Sequence, residues 1–210
     1  MTPVLELLQY VLRYFPNTVG ATLFVVGIAT GKMAWVLTAI GGLVVAILTL
    51  TLQYVLNKTL DIGAMPGAAV IEACSILPVA KGAYATIPSL WITLTTFFAT
   101  FIFVNAMNVY KTTPAQVSRD AMAVQQRKGV GLISMLAAVL LLVFMALPRA
   151  FGACENTIGI VTGLALGIFM GWGWWTILNA CGPDVFPDIH GVMIGLKPGA
   201  LRTNPMACKA

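Results

Sequence analysis

The stretch TIGIVTGLALGIFMGWGWWTIL, Thr157–Leu178, carries no charged residue and places a glycine at every fourth position, Gly159, Gly163, Gly167 and Gly171. Its 22 residues reach about 33 Å as a helix, enough to cross a bilayer core. Glycines inside a helix in water each cost about 1 kcal/mol against alanine. In lipid, where helices gain nothing by hiding apolar surface from one another, small residues allow two backbones to approach closely. The row therefore predicts a membrane helix with a helix partner. A step of four against 3.6 residues per turn drifts by about 40° each time, so the row follows a ridge around the helix and favours a crossing partner over a long parallel seam. Gly41 and Gly42 in an earlier apolar stretch offer an expected partner surface within the same chain, favoured over a homodimer.

Composition extends this reading to all 210 residues. Hydrophobic residues make up 59% and charged residues 9%, with a mean hydropathy of +0.91, whereas soluble domains carry about 25% charged residues. No polar stretch is long enough for a separate soluble domain, so the expectation is one integral membrane domain: an all-α, polytopic transmembrane helix bundle. Four uncharged runs can span, 33–56, 89–109, 129–147 and 157–178. A fifth, 18–30, follows the Pro16-Asn17 breaker and reads as either a short span or one arm of a re-entrant hairpin. In residues 1–16, Val4, Leu5, Leu7, Leu8, Val11, Leu12 and Phe15 fall at helical spacing while Glu6, Gln9 and Arg13 occupy the other face, which predicts an amphipathic interfacial helix or a simple extension of the first membrane helix. Residues 179–210 form a polar tail.

If all five segments cross, Lys32, Lys111, Arg119, Arg127, Lys128, Lys197, Arg202 and Lys209 fall on one side, and Arg13, Lys58, Lys81 and Arg149 on the other. The excess of positive charge assigns the basic loop 110–128 and the tail to the cytoplasm. Trp172, Trp174, Trp175 and Trp91 are expected as membrane-interface anchors. The same topology puts Cys74 and Cys154 together on the opposite side, where a disulfide is conceivable, although four scattered cysteines specify no connectivity. Thr93, Thr95, Thr96, Thr100, Asn105 and Asn108 give the span 89–109 a modest polar face, best read as an interhelical hydrogen-bonding surface.

Chemistry has little to stand on in this sequence. His190 is the one histidine, and no G-x-S-x-G, P-loop or H-E-x-x-H pattern occurs. Asp184, Asp188 and His190 in the tail read as hydrogen-bonded turn formers that contact partners, not as a metal site. Intramembrane ionisable groups, the usual mark of ion-coupled transport, are missing from the four long runs. The expectation is no catalytic or metal-binding residue, no cofactor, no enzyme activity and no nucleic-acid partner; an oligomeric pore stays as the alternative.

Two groups of residues carry resemblances. Pro88-Ser89-Leu90-Trp91, the span ending in Val104-Asn105-Ala106, Gly171-Trp172-Gly173-Trp174-Trp175, Cys181-Gly182-Pro183-Asp184 and Asp188-Ile189-His190-Gly191 together resemble small multi-span membrane proteins of nucleocytoplasmic large DNA viruses, of the phycodnavirus or iridovirus type. That resemblance implies a minor capsid-associated structural protein of the virion inner membrane, derived from host endoplasmic reticulum. Its partners would be the lipid bilayer and capsid proteins, and homo-oligomerisation is compatible with it. Pro88-Ser89 followed by a distant Asp/His motif also looks like the type 2 phosphatidic acid phosphatases. Leu90 and Trp91 stand where that family has glycine and histidine, so this likeness implies a degenerate scaffold and carries over no catalytic residue.

Overall fold

The computed structural model describes residues 3–31, 33–60, 87–112, 121–151 and 155–181. Among these residues the chain forms five helices and no strand: α1 (Pro3–Thr30), α2 (Met33–Leu60), α3 (Leu90–Lys111), α4 (Ala121–Phe151) and α5 (Thr157–Ala180). Four of them, α2 to α5, contain stretches long and apolar enough to cross a membrane. Gly31, at φ +66°, closes the α1–α2 turn in the left-handed region that favours glycine, and its N–H donates to the Ile28 carbonyl at 3.2 Å.

The side-chain contacts fix the direction of each helix. Gln53 near the end of α2 bonds to Pro88 at the head of α3, while Gly42, farther back in α2, meets the ring of Phe98. These two helices are therefore antiparallel. In α4, Gly131 lies against Ala106 and Tyr110, and Arg149 lies over Trp91, which makes α4 antiparallel to α3 as well. Along α5, Gly163, Gly167 and Gly171 meet Ile92, Thr96 and Thr100 in turn, so α5 runs parallel to α3. Gly27 of α1 abuts Trp35 and Val36, and Gly20 approaches Phe98. Each helix thus reverses the direction of the one before it.

α3 is the hub, in contact with all four other helices. In its most apolar window 72% of residues are buried, against 11% for α4; one helix is the core and the other a wall. The buried helix carries Thr93, Thr95, Thr96 and Asn105, while the outer surface shows Leu43 and Ile47 on α2 and Leu132, Ile133, Leu136 and Phe144 on α4. Polar groups inside and bare aliphatic groups outside is the arrangement that hydrocarbon solvent selects. Phe97 and Phe98 pack edge to face at 5.1 Å within a cluster that includes Val45 and Leu94.

Three expectations are revised. Pro16 lies inside α1 and breaks nothing, so from Pro3 onward the simple extension holds, and a separate interfacial helix followed by a short 18–30 segment does not. A proline that ends a helix in water leaves backbone groups that water can satisfy; beside lipid an unwound turn has no such partner, and the helix continues. The segment read as the basic loop 110–128 also shortens, because Ala121–Lys128 already belongs to α4. The third revision concerns the partner of the glycine row.

Candidate functional site

The glycine row of α5 faces α3, not the Gly41-Gly42 pair. Gly159, Gly163, Gly167 and Gly171 are all buried. A Cβ added to Gly163 would lie 3.1 Å from the Ser89 carbonyl oxygen, one on Gly167 2.6 Å from that of Thr93, and one on Gly171 2.7 Å from that of Phe97. The three carbonyls stand four residues apart, like the glycines that meet them. Two i±4 ridges run in register, and each glycine directs a Cα–H at a backbone oxygen of α3, a weak hydrogen bond that recurs where helices touch closely. Gly41 instead receives Trp174, whose Nε1–H donates to the Leu37 carbonyl at 3.2 Å, and Gly42 receives Phe98.

A polar junction closes the head of this interface. Ser89 is the N-cap of α3: its Oγ accepts from the Ile92 N–H at 3.2 Å. The Ser89 N–H donates to the Gly159 carbonyl at 3.1 Å, tying α3 to the first rung of α5, and the Thr93 hydroxyl returns to the Ser89 carbonyl at 2.7 Å. From α2, the Gln53 amide donates to the Pro88 carbonyl at 2.6 Å. Pro88 has no N–H of its own, but its carbonyl lies before the helix and gains a partner here.

Across the junction Arg149, in the last turn of α4, meets Glu155 just before α5 at 3.1 Å, with side-chain exposures of 7% and 10%. The Arg149 guanidinium also stacks over the Trp91 ring, 4.4 Å from its centroid. The Ser89 hydroxyl hydrogen-bonds the Glu155 carboxylate. Burial depresses the Arg149 pKa; the charge and hydrogen bond of Glu155 oppose this, and the positive charge of Arg13 on α1 adds to it. Burial likewise raises the Glu155 carboxyl above its usual range, opposed by the charge of Arg149 and by the hydrogen bonds from Ser89 and Arg149. Burial is the largest influence on both groups, as expected for charges taken out of water. The five residues Gln53, Ser89, Trp91, Arg149 and Glu155 join α2, α3, α4 and α5 at one membrane face.

This junction was not foreseen as a unit. In the sequence Arg149 reads only as a topogenic charge, and Trp91, expected as an interface anchor, is instead 2% exposed beneath Arg149. Trp174 turns inward to α2, Trp175 is half-buried and Trp172 is exposed on the outer surface. Opposite charges flanking a short break between two apolar runs were the available signal. Cys74, Cys154, Asp184, Asp188 and His190 lie outside the described residues. Among the described residues no three His, Cys, Asp or Glu side chains gather as a metal site would require. No family model matches the chain, and neither the curated proteins nor the solved structures yield a match.

Proposed function

We propose that this chain is a structural membrane protein of a viral particle, which anchors the inner membrane to the capsid through its loops and C-terminal tail. The observation that carries the reading is the employment of the polar groups at the junction. Ser89 caps a helix, Gln53 holds a helix-entry carbonyl, and Arg149 and Glu155 bind α4 to the head of α5. These groups are engaged in joining helices, as the glycine row is, which suits a rigid scaffold. The viral setting rests on the resemblance of the Pro88–Trp91, Gly171–Trp175 and Asp188–Gly191 motifs.

Fractionation of intact particles and host membranes tests it. The proposal expects the protein in particles, co-purifying with capsid components after mild detergent treatment, and phosphatidic acid left unhydrolysed. Residence in host membranes alone would overturn it. So would phosphate release abolished by His190→Ala, or single-channel conductance in planar bilayers.

A further inference from the structure

α1 reaches membrane depth by packing and not by composition. Gly27 lies against Val36, and Gly20 and Gly42 share the Phe98 ring. In this antiparallel hairpin Asn17 stands level with about Ala46, within about 3 Å of the midpoint of the Met33–Leu56 span. Its surroundings are unlike those of any other outward face. Asn17, Thr18, Ala21 and Thr22 are all exposed, three polar side chains and one small apolar one, whereas the outer faces of α2 and α4 at similar depth carry large hydrophobic residues. The Thr18 hydroxyl donates to the Tyr14 carbonyl at 3.0 Å, but the Asn17 carboxamide forms no hydrogen bond with the described residues. Hydrocarbon offers that amide no donor and no acceptor.

We infer that this face of α1 is a homodimer interface, with Asn17 paired to Asn17 of a second copy near the bilayer midplane. The occupant follows from the chemistry of the group. A carboxamide both donates and accepts, so two of them related by a twofold axis exchange N–H···O bonds and satisfy each other, as an isologous contact requires. Ala21, one turn along, is small enough for two α1 backbones to come close, and Thr22 adds a second hydroxyl to the seam. The Arg13 guanidinium lies over its own chain's Tyr14 ring, 5.3 Å from the centroid. The α5 glycine row is occupied by α3, so the dimer needs no surface already in use.

Single-molecule photobleaching of the full chain in phosphatidylcholine vesicles, over a range of protein-to-lipid ratios, reads the equilibrium directly. Dimers are expected, with Asn17→Val raising the dissociation constant by about tenfold or more and Asn17→Gln recovering much of the loss. The position is exposed, and unchanged tryptophan emission shows that each variant keeps its fold. Under mild oxidation Ala21→Cys should form a disulfide-linked dimer beyond any seen in the unmodified chain, and Phe144→Cys on the outer face of α4 should not. A monomer at every ratio overturns the inference. Dimerisation indifferent to Asn17→Val, or equal cross-linking through Phe144→Cys, would do so equally.

Discussion

Gly167→Ala adds one methyl group at the tightest rung between α5 and α3. That methyl would sit 2.6 Å from the Thr93 oxygen, 2.6 Å from the Thr96 Cβ and 3.1 Å from the Phe97 nitrogen. Two of the three are backbone atoms, which cannot turn aside as a side-chain tip can. Ordinary contact begins near 3.4 Å, so α5 must withdraw by the 0.8 Å difference between 3.4 and 2.6. Such a gap forfeits a quarter to a half of each dispersion well; over about 20 atom pairs at 0.1–0.2 kcal/mol this is roughly 1 kcal/mol. Loosening two Cα–H···O contacts adds about 1 kcal/mol more. The total, about 2 kcal/mol, lies within the usual cost of overpacking and is about thirtyfold in the unfolding equilibrium. Gly171→Ala, with contacts of 2.7 and 2.9 Å, should cost somewhat less, and Gly163→Ala, at 3.1 and 3.2 Å, less again. Gly173→Ala meets nothing within 4 Å and should be neutral or stabilising through helix propensity. Reversible unfolding in mixed micelles, followed by tryptophan fluorescence, gives the four values in one series. Equal stability of Gly167→Ala and Gly173→Ala would refute the assignment of this face to α3.

Glu155→Gln leaves Arg149 buried opposite a neutral amide and should cost roughly 3 kcal/mol, whereas replacing both partners by Arg149→Met with Glu155→Leu should cost far less; the same unfolding assay compares them, and equal losses would show the charge pairing to be irrelevant. The raised Glu155 pKa sets a pH dependence. Between the unfolded value of about 4.3 and the higher folded value, the folded state holds a proton that the unfolded state has lost, so stability should fall as pH rises through that window. Glu155→Gln should flatten this slope, and an unchanged slope would assign it to other groups. Gln53→Leu removes the bond to the Pro88 carbonyl and should lower stability by about 1 kcal/mol or more, with the oxygen left unsatisfied; a neutral result would mean another donor replaces the amide.

The membrane helices were legible because length and the absence of charge are properties of the sequence itself. The glycine row was legible as a contact face for the same reason. Its partner was not, because what it touches is the row of carbonyls from Ser89, Thr93 and Phe97, and a backbone oxygen has no letter in the sequence. Gly41-Gly42 looked like a match by similarity of small residues, yet each of those glycines makes room for an aromatic ring. The threonine face of 89–109 was readable as interhelical, since Thr93, Thr96 and Thr100 line the α3–α5 contact, but it is not the hydrogen-bonding surface expected: the Thr93 hydroxyl bonds the Ser89 carbonyl at the head of its own helix, and the buried Thr95 and Thr96 hydroxyls have no partner among the described residues. Pro16 does not break α1, because the tendency of proline to end a helix depends on water to satisfy the freed backbone groups. Arg149 and Glu155 lie six residues apart across an interhelical break, and only the placement of Trp91 and Ser89 on α3 makes them one junction.

The parallel docking of α5 on α3 sets an order on synthesis. A ribosome finishing α3 at Lys111 must still translate through Ala180 before the glycines can arrive, a delay of roughly 3–14 s at 5–20 residues per second. During that interval the bundle grows from three helices to four with the polar Thr93 and Thr96 side of its hub uncovered. An insertase or chaperone that shields a hydroxyl-bearing groove would act in that window, and release from it would coincide with the arrival of the last helix.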